Sequence, residues 1–269
     1  PVGPSQDDVF LIYRNNKIFM SLKEGEITYP RLEELKKYYP NAQKDAKFLF
    51  KIDNNDYYEI RKYPIGPFNG YDYYDLGELR TSFPSYRAFA GITGAQIHNW
   101  YNDTTYCGRC STKLKPKGDE RAMICPNPDC GKVYYPVISP SVIVGVIKGN
   151  QILLTKYNKN HSKYRKYGLV AGYTEIGETL EATVIREVKE EVGLKVENVR
   201  YYKSQPWSYS GTILAGFFCE VVGDPTVTLE EEELEEATWF NREEIPKVDN
   251  TISLTTEMIE YFRNHPEAF

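Results

Sequence analysis

Residues 172–194 read Gly172-Tyr-Thr-Glu-Ile-Gly-Glu178-Thr-Leu-Glu-Ala-Thr-Val-Ile-Arg186-Glu187-Val-Lys-Glu190-Glu191-Val-Gly193-Leu194. Leu180, Val184, Val188 and Val192 recur every four residues and line one face of a helix. Thr179 is placed to cap its start, and Gly193 stands where a helix C-terminal glycine belongs. On that helix Glu187, Glu190 and Glu191 fall within about 100° of one another, beside the apolar stripe. Like charges this close destabilise a helix unless a cation joins them, and a divalent metal that prefers oxygen, magnesium or manganese, is the natural partner. Such a cluster suits phosphoryl chemistry, in which metal neutralises a diphosphate and acidifies a bound water. Spacing alone does not separate this from a solvated acidic face.

Around this stretch strands and a further helix are predicted, and the expected fold class of the chain is α+β. Ser141 to Ile147 is a β-branched run that reads as a buried strand, and Asn150 to Leu154 follows across a Lys148-Gly149-Asn150 turn. Strands are predicted at Ile213 to Val221 and Ala237 to Phe240, and a closing helix at Thr255 to Asn264. Residues 148–168 carry six Lys or Arg and no acidic residue. A basic loop of this kind can steer a polyanion, including the 5′ end of an RNA, or can simply be exposed.

Upstream, the cysteines are spaced Cys107-x2-Cys110 and Cys125-x4-Cys130, with fourteen residues between the pairs. Two close thiol pairs joined by a hairpin-length loop suit a tetrahedral four-thiolate zinc site, closed to water and therefore structural. The fifth cysteine, Cys219, lies in an apolar strand and reads as core. The first hundred residues hold eleven of the 23 tyrosines, with turn clusters between short apolar runs. This pattern favours a β-rich or α+β domain. A helix is predicted from Tyr86 to Tyr101 despite Gly91 and Gly94. The expected division is a β-rich N-terminal domain over 1–100, a zinc ribbon over 101–136 and a catalytic domain over 137–269.

At 269 residues and a net charge of −5, the chain has length for about two domains and no overall attraction to nucleic acid or anionic membrane. No run approaches the roughly 18 to 20 apolar residues of a bilayer span, and the start lacks a secretion pattern, which points to a cytosolic protein.

The pattern Gly-x5-Glu-x7-Arg-Glu-Val-x-Glu-Glu-x-Gly-Leu over residues 172–194 is a full match to the signature of the Nudix hydrolases. That resemblance implies an α/β/α sandwich, metal ligation by Glu187, Glu190 and Glu191, and a pairing of Arg186 with Glu178. Ser204-Gln205-Pro206-Trp207, the four cysteines, Tyr134-Tyr135-Pro136 and the Glu233 to Phe240 stretch resemble the NADH pyrophosphatase branch of the family. The continuation Ser208-Tyr209-Ser210-Gly211 and the x4 knuckle depart from its usual Pro-Phe-Pro and x2. The likeness implies dinucleotide contact at Ser204, Gln205, Pro206 and Trp207, a further metal-binding carboxylate at Glu233, and substrate contacts at Arg80 and Ser253. It also implies a homodimer. Tyr135, Tyr173 and Trp207 offer flat faces worth about 1–3 kcal/mol per stacked base, although each also suits a core position.

Three functions follow as expectations. The first is metal-dependent hydrolysis of the diphosphate of NADH or NAD⁺ to nicotinamide mononucleotide and AMP. The second is the same cleavage at the 5′ end of NAD-capped RNA. The third is a non-catalytic dinucleotide sensor or zinc-ribbon adaptor.

Overall fold

A computed structural model of the chain describes residues 3–61, 65–159, 166–247 and 252–269. Residues 160–165, the interior of the basic segment, lie outside these. The chain divides into two compact units, Pro1–Val137 and Ile138–Phe269.

The first unit opens with β1 (Val9–Leu11), β2 (Tyr13–Arg14), β3 (Lys17–Lys23) and β4 (Glu26–Thr28). Two single-turn helices, α1 (Leu32–Leu35) and α2 (Ala42–Asp45), lead to β5 (Lys47–Ile52), β6 (Asn55–Glu59) and β7 (Asp72–Asp75). These make one sheet ordered β1-β6-β5 and another of β2-β3-β4 in which β7 also pairs with β3. Phe10, Phe19, Leu32, Leu35 and Tyr58 are buried between them.

Helix α3 (Ser85–Asp103) follows, and its two glycines have a packing reason. A Cβ at Gly91 would meet the Tyr29 hydroxyl at 2.2 Å, and one at Gly94 would meet the Tyr13 hydroxyl at 2.2 Å. The same hydroxyls donate to helix carbonyls, Tyr13 to Gly91 O at 2.6 Å and Tyr29 to Arg87 O at 2.9 Å. Tyr13 and Tyr29 thus require a helix without side chains at these positions, against the roughly 1 kcal/mol per glycine that helix propensity costs.

The end of α3 carries Trp100, which packs with Leu114, Met123 and the buried Cys107 and Cys125. These belong to a three-stranded ribbon of β8 (Lys115–Pro116), β9 (Met123–Ile124) and β10 (Val133–Tyr134).

The second unit is a six-stranded sheet between two helices. Its elements are β11 (Ser139–Lys148), β12 (Gln151–Tyr157), β13 (Val170–Tyr173), α4 (Leu180–Val192), β14 (Val196–Trp207), β15 (Thr212–Val221), β16 (Leu234–Asn241) and α5 (Leu254–Asn264). The order is β14-β15-β11-β12-β16, with β13 paired antiparallel to the first half of β11 and β15 parallel to it. Alternation along β11 sorts the core. Val142, Val144 and Val146 face Val184, Val188 and Val192 of α4, whereas Ile143 and Ile147 face Leu254, Met258 and Phe262 of α5. Full burial of each α4 valine contributes about 1.5–3 kcal/mol. This outweighs like-charge pairs on the helix at about 0.2–0.5 kcal/mol each, so α4 can carry its glutamates.

The helix ends lie where the sequence places them. The Thr179 hydroxyl accepts from Ala182 N, and Gly193 takes φ 74°. Strand β14 is the largest element absent from the sequence expectations. Its residues alternate only weakly, and Pro206 within it argues against a strand. As the edge of the sheet, paired on one side by β15, it tolerates that proline.

Candidate functional site

Strand β13 and helix α4 place the signature residues in register. Gly172 sits on β13, where an added Cβ would lie 1.9 Å from the Glu187 carboxyl carbon, so only glycine admits that carboxylate against the strand. Ser141, paired with Tyr173 across on β11, donates its hydroxyl to Gly172 O at 2.8 Å and fixes the strand there.

Arg186 organises the acids around it. Its Nε donates to Glu178 Oε1 at 2.7 Å and its Nη2 to Glu178 Oε2 at 2.9 Å and to Tyr173 O at 2.9 Å. Its Nη1 donates at 2.8 Å both to Glu187 Oε1 and to Glu190 Oε2. Glu178 further accepts from Glu175 N and from the Thr183 hydroxyl, each at 3.0 Å. Led by the Arg186 pairing, these bonds hold the Glu178 carboxyl down at about 2.

Glu187 and Glu191 are buried, unlike Glu190. Burial raises Glu187, and burial together with the negative fields of Glu187 and Glu233 pushes Glu191 up to about 8. Glu191 Oε2 is buried without a hydrogen-bond partner. A buried carboxylate oxygen left unpaired, two more carboxylates on the same helix turn and a glycine that clears the space suit a hard, oxygen-seeking divalent cation. Among the described residues the helix carboxylates do not converge into a close group, because Arg186 Nη1 stands between Glu187 and Glu190.

Glu233 stands on an exposed turn of residues 230–233. That turn is tied to the end of α4, where Glu230 N donates to Glu191 O at 3.0 Å.

The other expected contact residues divide between the units. Tyr173 is 55% exposed beside the carboxylates, as a stacking face requires. Ser204, Gln205, Pro206 and Trp207 end β14. Gln205 is committed to α5, donating to Ile252 O at 2.9 Å and accepting from Leu254 N at 2.8 Å. Ser253, between those two residues, caps α5 by accepting from Thr256 N. The structure thus brings Gln205 and Ser253 together at one helix start, a juxtaposition that 48 residues of separation hide in the sequence. Trp207 is half-buried and packs against Tyr209, with ring centroids 5.0 Å apart. Arg80 and Tyr135 belong to the first unit. Arg80 is exposed, and Tyr135 is 55% exposed with its hydroxyl donating to Glu120 at 3.1 Å.

In the ribbon, Sγ atoms of Cys107, Cys110, Cys125 and Cys130 all lie within 4.8 Å of one another. Cys107 and Cys130 are 3.7 Å apart, and Cys110 and Cys125 3.4 Å. Zinc–sulfur bonds of about 2.3 Å in a tetrahedron require sulfur separations near these, so the four residues fit one zinc. The Tyr134 hydroxyl, 3.2 Å from Cys107 Sγ, brings that thiol down to about 6 and favours the thiolate a metal needs.

A sheet sandwiched by two helices, with a strand glycine cradling a glutamate of the signature helix, is the Nudix arrangement. Residues 138–262 match the family model described as the NUDIX domain, so the second unit is a Nudix domain. Residues 102–135 match the NADH pyrophosphatase zinc ribbon domain. The chain is 38% identical over 154 residues to the NAD-capped RNA hydrolase NudC of Mannheimia succiniciproducens, covering 56% of this chain and 57% of that one. It is 36% identical over 180 residues to the protein of the same name in Chromobacterium violaceum, covering 67% and 66% respectively. The matches thus span less than two thirds of the length of these relatives. A crystal structure of a Nudix hydrolase from Nitrosomonas europaea superposes with a TM-score of 0.51 at 25% identity, covering 61% of this chain and 93% of that one.

Proposed function

We propose that the chain hydrolyses the diphosphate of NADH or NAD⁺, free or as the 5′ cap of an RNA, to release nicotinamide mononucleotide and AMP or a 5′-phosphorylated RNA. The observation that carries this reading is the buried, unpartnered Glu191 oxygen beside Glu187, in the cradle left by Gly172. Glu187, Glu190, Glu191 and Glu233 would hold magnesium or manganese, which when bound supplies charge neutralisation at the diphosphate and a more acidic water. Water oxygen bonds to one phosphorus as the bridging P–O bond breaks, and a glutamate of the signature helix accepts the water proton. Arg186 orients the acids by holding Glu178, Glu187 and Glu190 at once. Tyr173 offers a base-stacking face, and Tyr135, Trp207, Ser204, Pro206 and Arg80 are proposed to contact the dinucleotide. Gln205 and Ser253 would act by setting the start of α5. The zinc ribbon, with the relatives named as NAD-capped RNA hydrolases, supports the dinucleotide as substrate.

The test is product analysis on NADH, NAD⁺, ADP-ribose, diadenosine diphosphate and a NAD-capped RNA, with magnesium or manganese. Release of nicotinamide mononucleotide is expected, and tight NADH binding with no cleavage would favour a sensor instead. Five free cysteines, four of them in the ribbon, suit a reducing, cytoplasmic setting. A homodimer is proposed from the family resemblance, and a solution mass of twice 31.1 kDa is expected.

A further inference from the structure

We infer that Asn158 is a positioning residue for the cation site, acting by clamping the turn that carries Glu233. The inference rests on the proposed carboxylate site and assigns a role to a residue outside the signature.

Asn158 follows directly on the last residue of β12. Its backbone N–H donates to Glu233 O at 2.8 Å, and its side-chain Nδ2 donates to Glu231 O at 2.9 Å. Within the turn, Glu230 O accepts from Glu233 N at 3.1 Å and from Leu234 N at 2.9 Å. At the other end, Glu230 N donates to Glu191 O and Thr228 N to Val192 O, each at 3.0 Å. The turn is therefore fastened on two sides, to the last turn of α4 and to the end of β12. The β12–β16 pairing shifts register between Lys156 and Tyr157 and ends with Tyr157 opposite Leu234, so Asn158 meets the turn just past the last ladder pair. The Asn158 amide adds a hold on Glu231, beyond the reach of the ladder.

The geometry matters because Glu233 is near enough to Glu187 and Glu191 to add to the negative field on each, yet its own side chain is exposed. A carboxylate on an unfastened surface turn spends little time facing a cation, and holding its backbone removes that ordering cost in advance. Partners that orient ligands in this way typically contribute about 10- to 100-fold in metal affinity, and a partner acting on the backbone stands at or below the lower end. Replacing Asn158 leaves its backbone bond to Glu233 and removes the amide's hold on Glu231.

Mn²⁺ binding to the zinc-loaded full chain, read by electron paramagnetic resonance, tests this with Asn158→Asp, Asn158→Ala and Glu233→Gln. The Mn²⁺ dissociation constant is expected to rise about three- to tenfold in both Asn158 variants and at least as much in Glu233→Gln. KM for NADH should stay within about twofold, and kcat should recover at saturating Mn²⁺. Asn158→Asp keeps the side-chain volume and loses the donor, so it decides the matter if Asn158→Ala does not fold. Wild-type Mn²⁺ affinity in these variants, a kcat loss that Mn²⁺ does not restore, or loss of the native thermal transition in both would overturn the role of Asn158. Absence of Mn²⁺ binding in the wild-type chain would instead overturn the carboxylate site itself.

Discussion

Glu191 is the most perturbed acid of the site, and its chemistry turns on one buried oxygen that no described residue satisfies. Replacing it, or Glu187, with Gln keeps shape and removes a cation-binding charge. Turnover is expected to fall by about 10²-fold or more, with the thermal midpoint moving only a few degrees, about 2–4 °C. Steady-state kinetics with calorimetry check both halves. Glu235→Gln, on exposed surface, should leave turnover near wild type. Gly172→Ala is a harsher case. The new methyl would overlap the Glu187 carboxyl group, so strand or helix must shift, and both activity and thermal midpoint should drop together.

Between β13 and α4 the loop is held by Arg186 and Glu178, and this pairing gives the element an acid-sensitive joint. The folded Glu178 carboxyl lies near 2, below its ordinary 4.5. A depressed carboxyl stabilises the fold fully above the ordinary value and loses that contribution as pH falls from about 4.5 towards 2. Wild type should therefore be more stable than Glu178→Gln at neutral pH, and the gap between their thermal midpoints should close over that acid window. A gap unchanged from pH 7 to pH 3 would exclude the pairing as its source. The helix itself was legible in the sequence, because caps, period and C-terminal glycine are local signals. Strand β14 was not, since an edge strand is stabilised by its neighbour β15 rather than by its own pattern.

The four ribbon cysteines belong to the first unit and the signature carboxylates to the second. One zinc per chain is expected by elemental analysis, and removing it by Cys125→Ser should destabilise the ribbon around Trp100. Because four sulfurs leave zinc no open position, protein stripped of loosely bound cations by brief EDTA treatment should retain zinc and lose hydrolysis until Mg²⁺ or Mn²⁺ is restored. Activity persisting in excess EDTA would remove the carboxylates from the mechanism.

The signature helix, the four cysteines and the β-branched run of β11 could be read without coordinates, because each is a short-range local pattern. Folding decided the rest. Gly91 and Gly94 make sense only against Tyr29 and Tyr13, residues about sixty and eighty positions away in the chain. Gln205 meets Ser253, and Asn158 meets the Glu233 turn, only once the sheet has set its strand order. A hydrogen bond between distant residues leaves no period in the chain, so the partners that aim the site emerge only from strand register and packing.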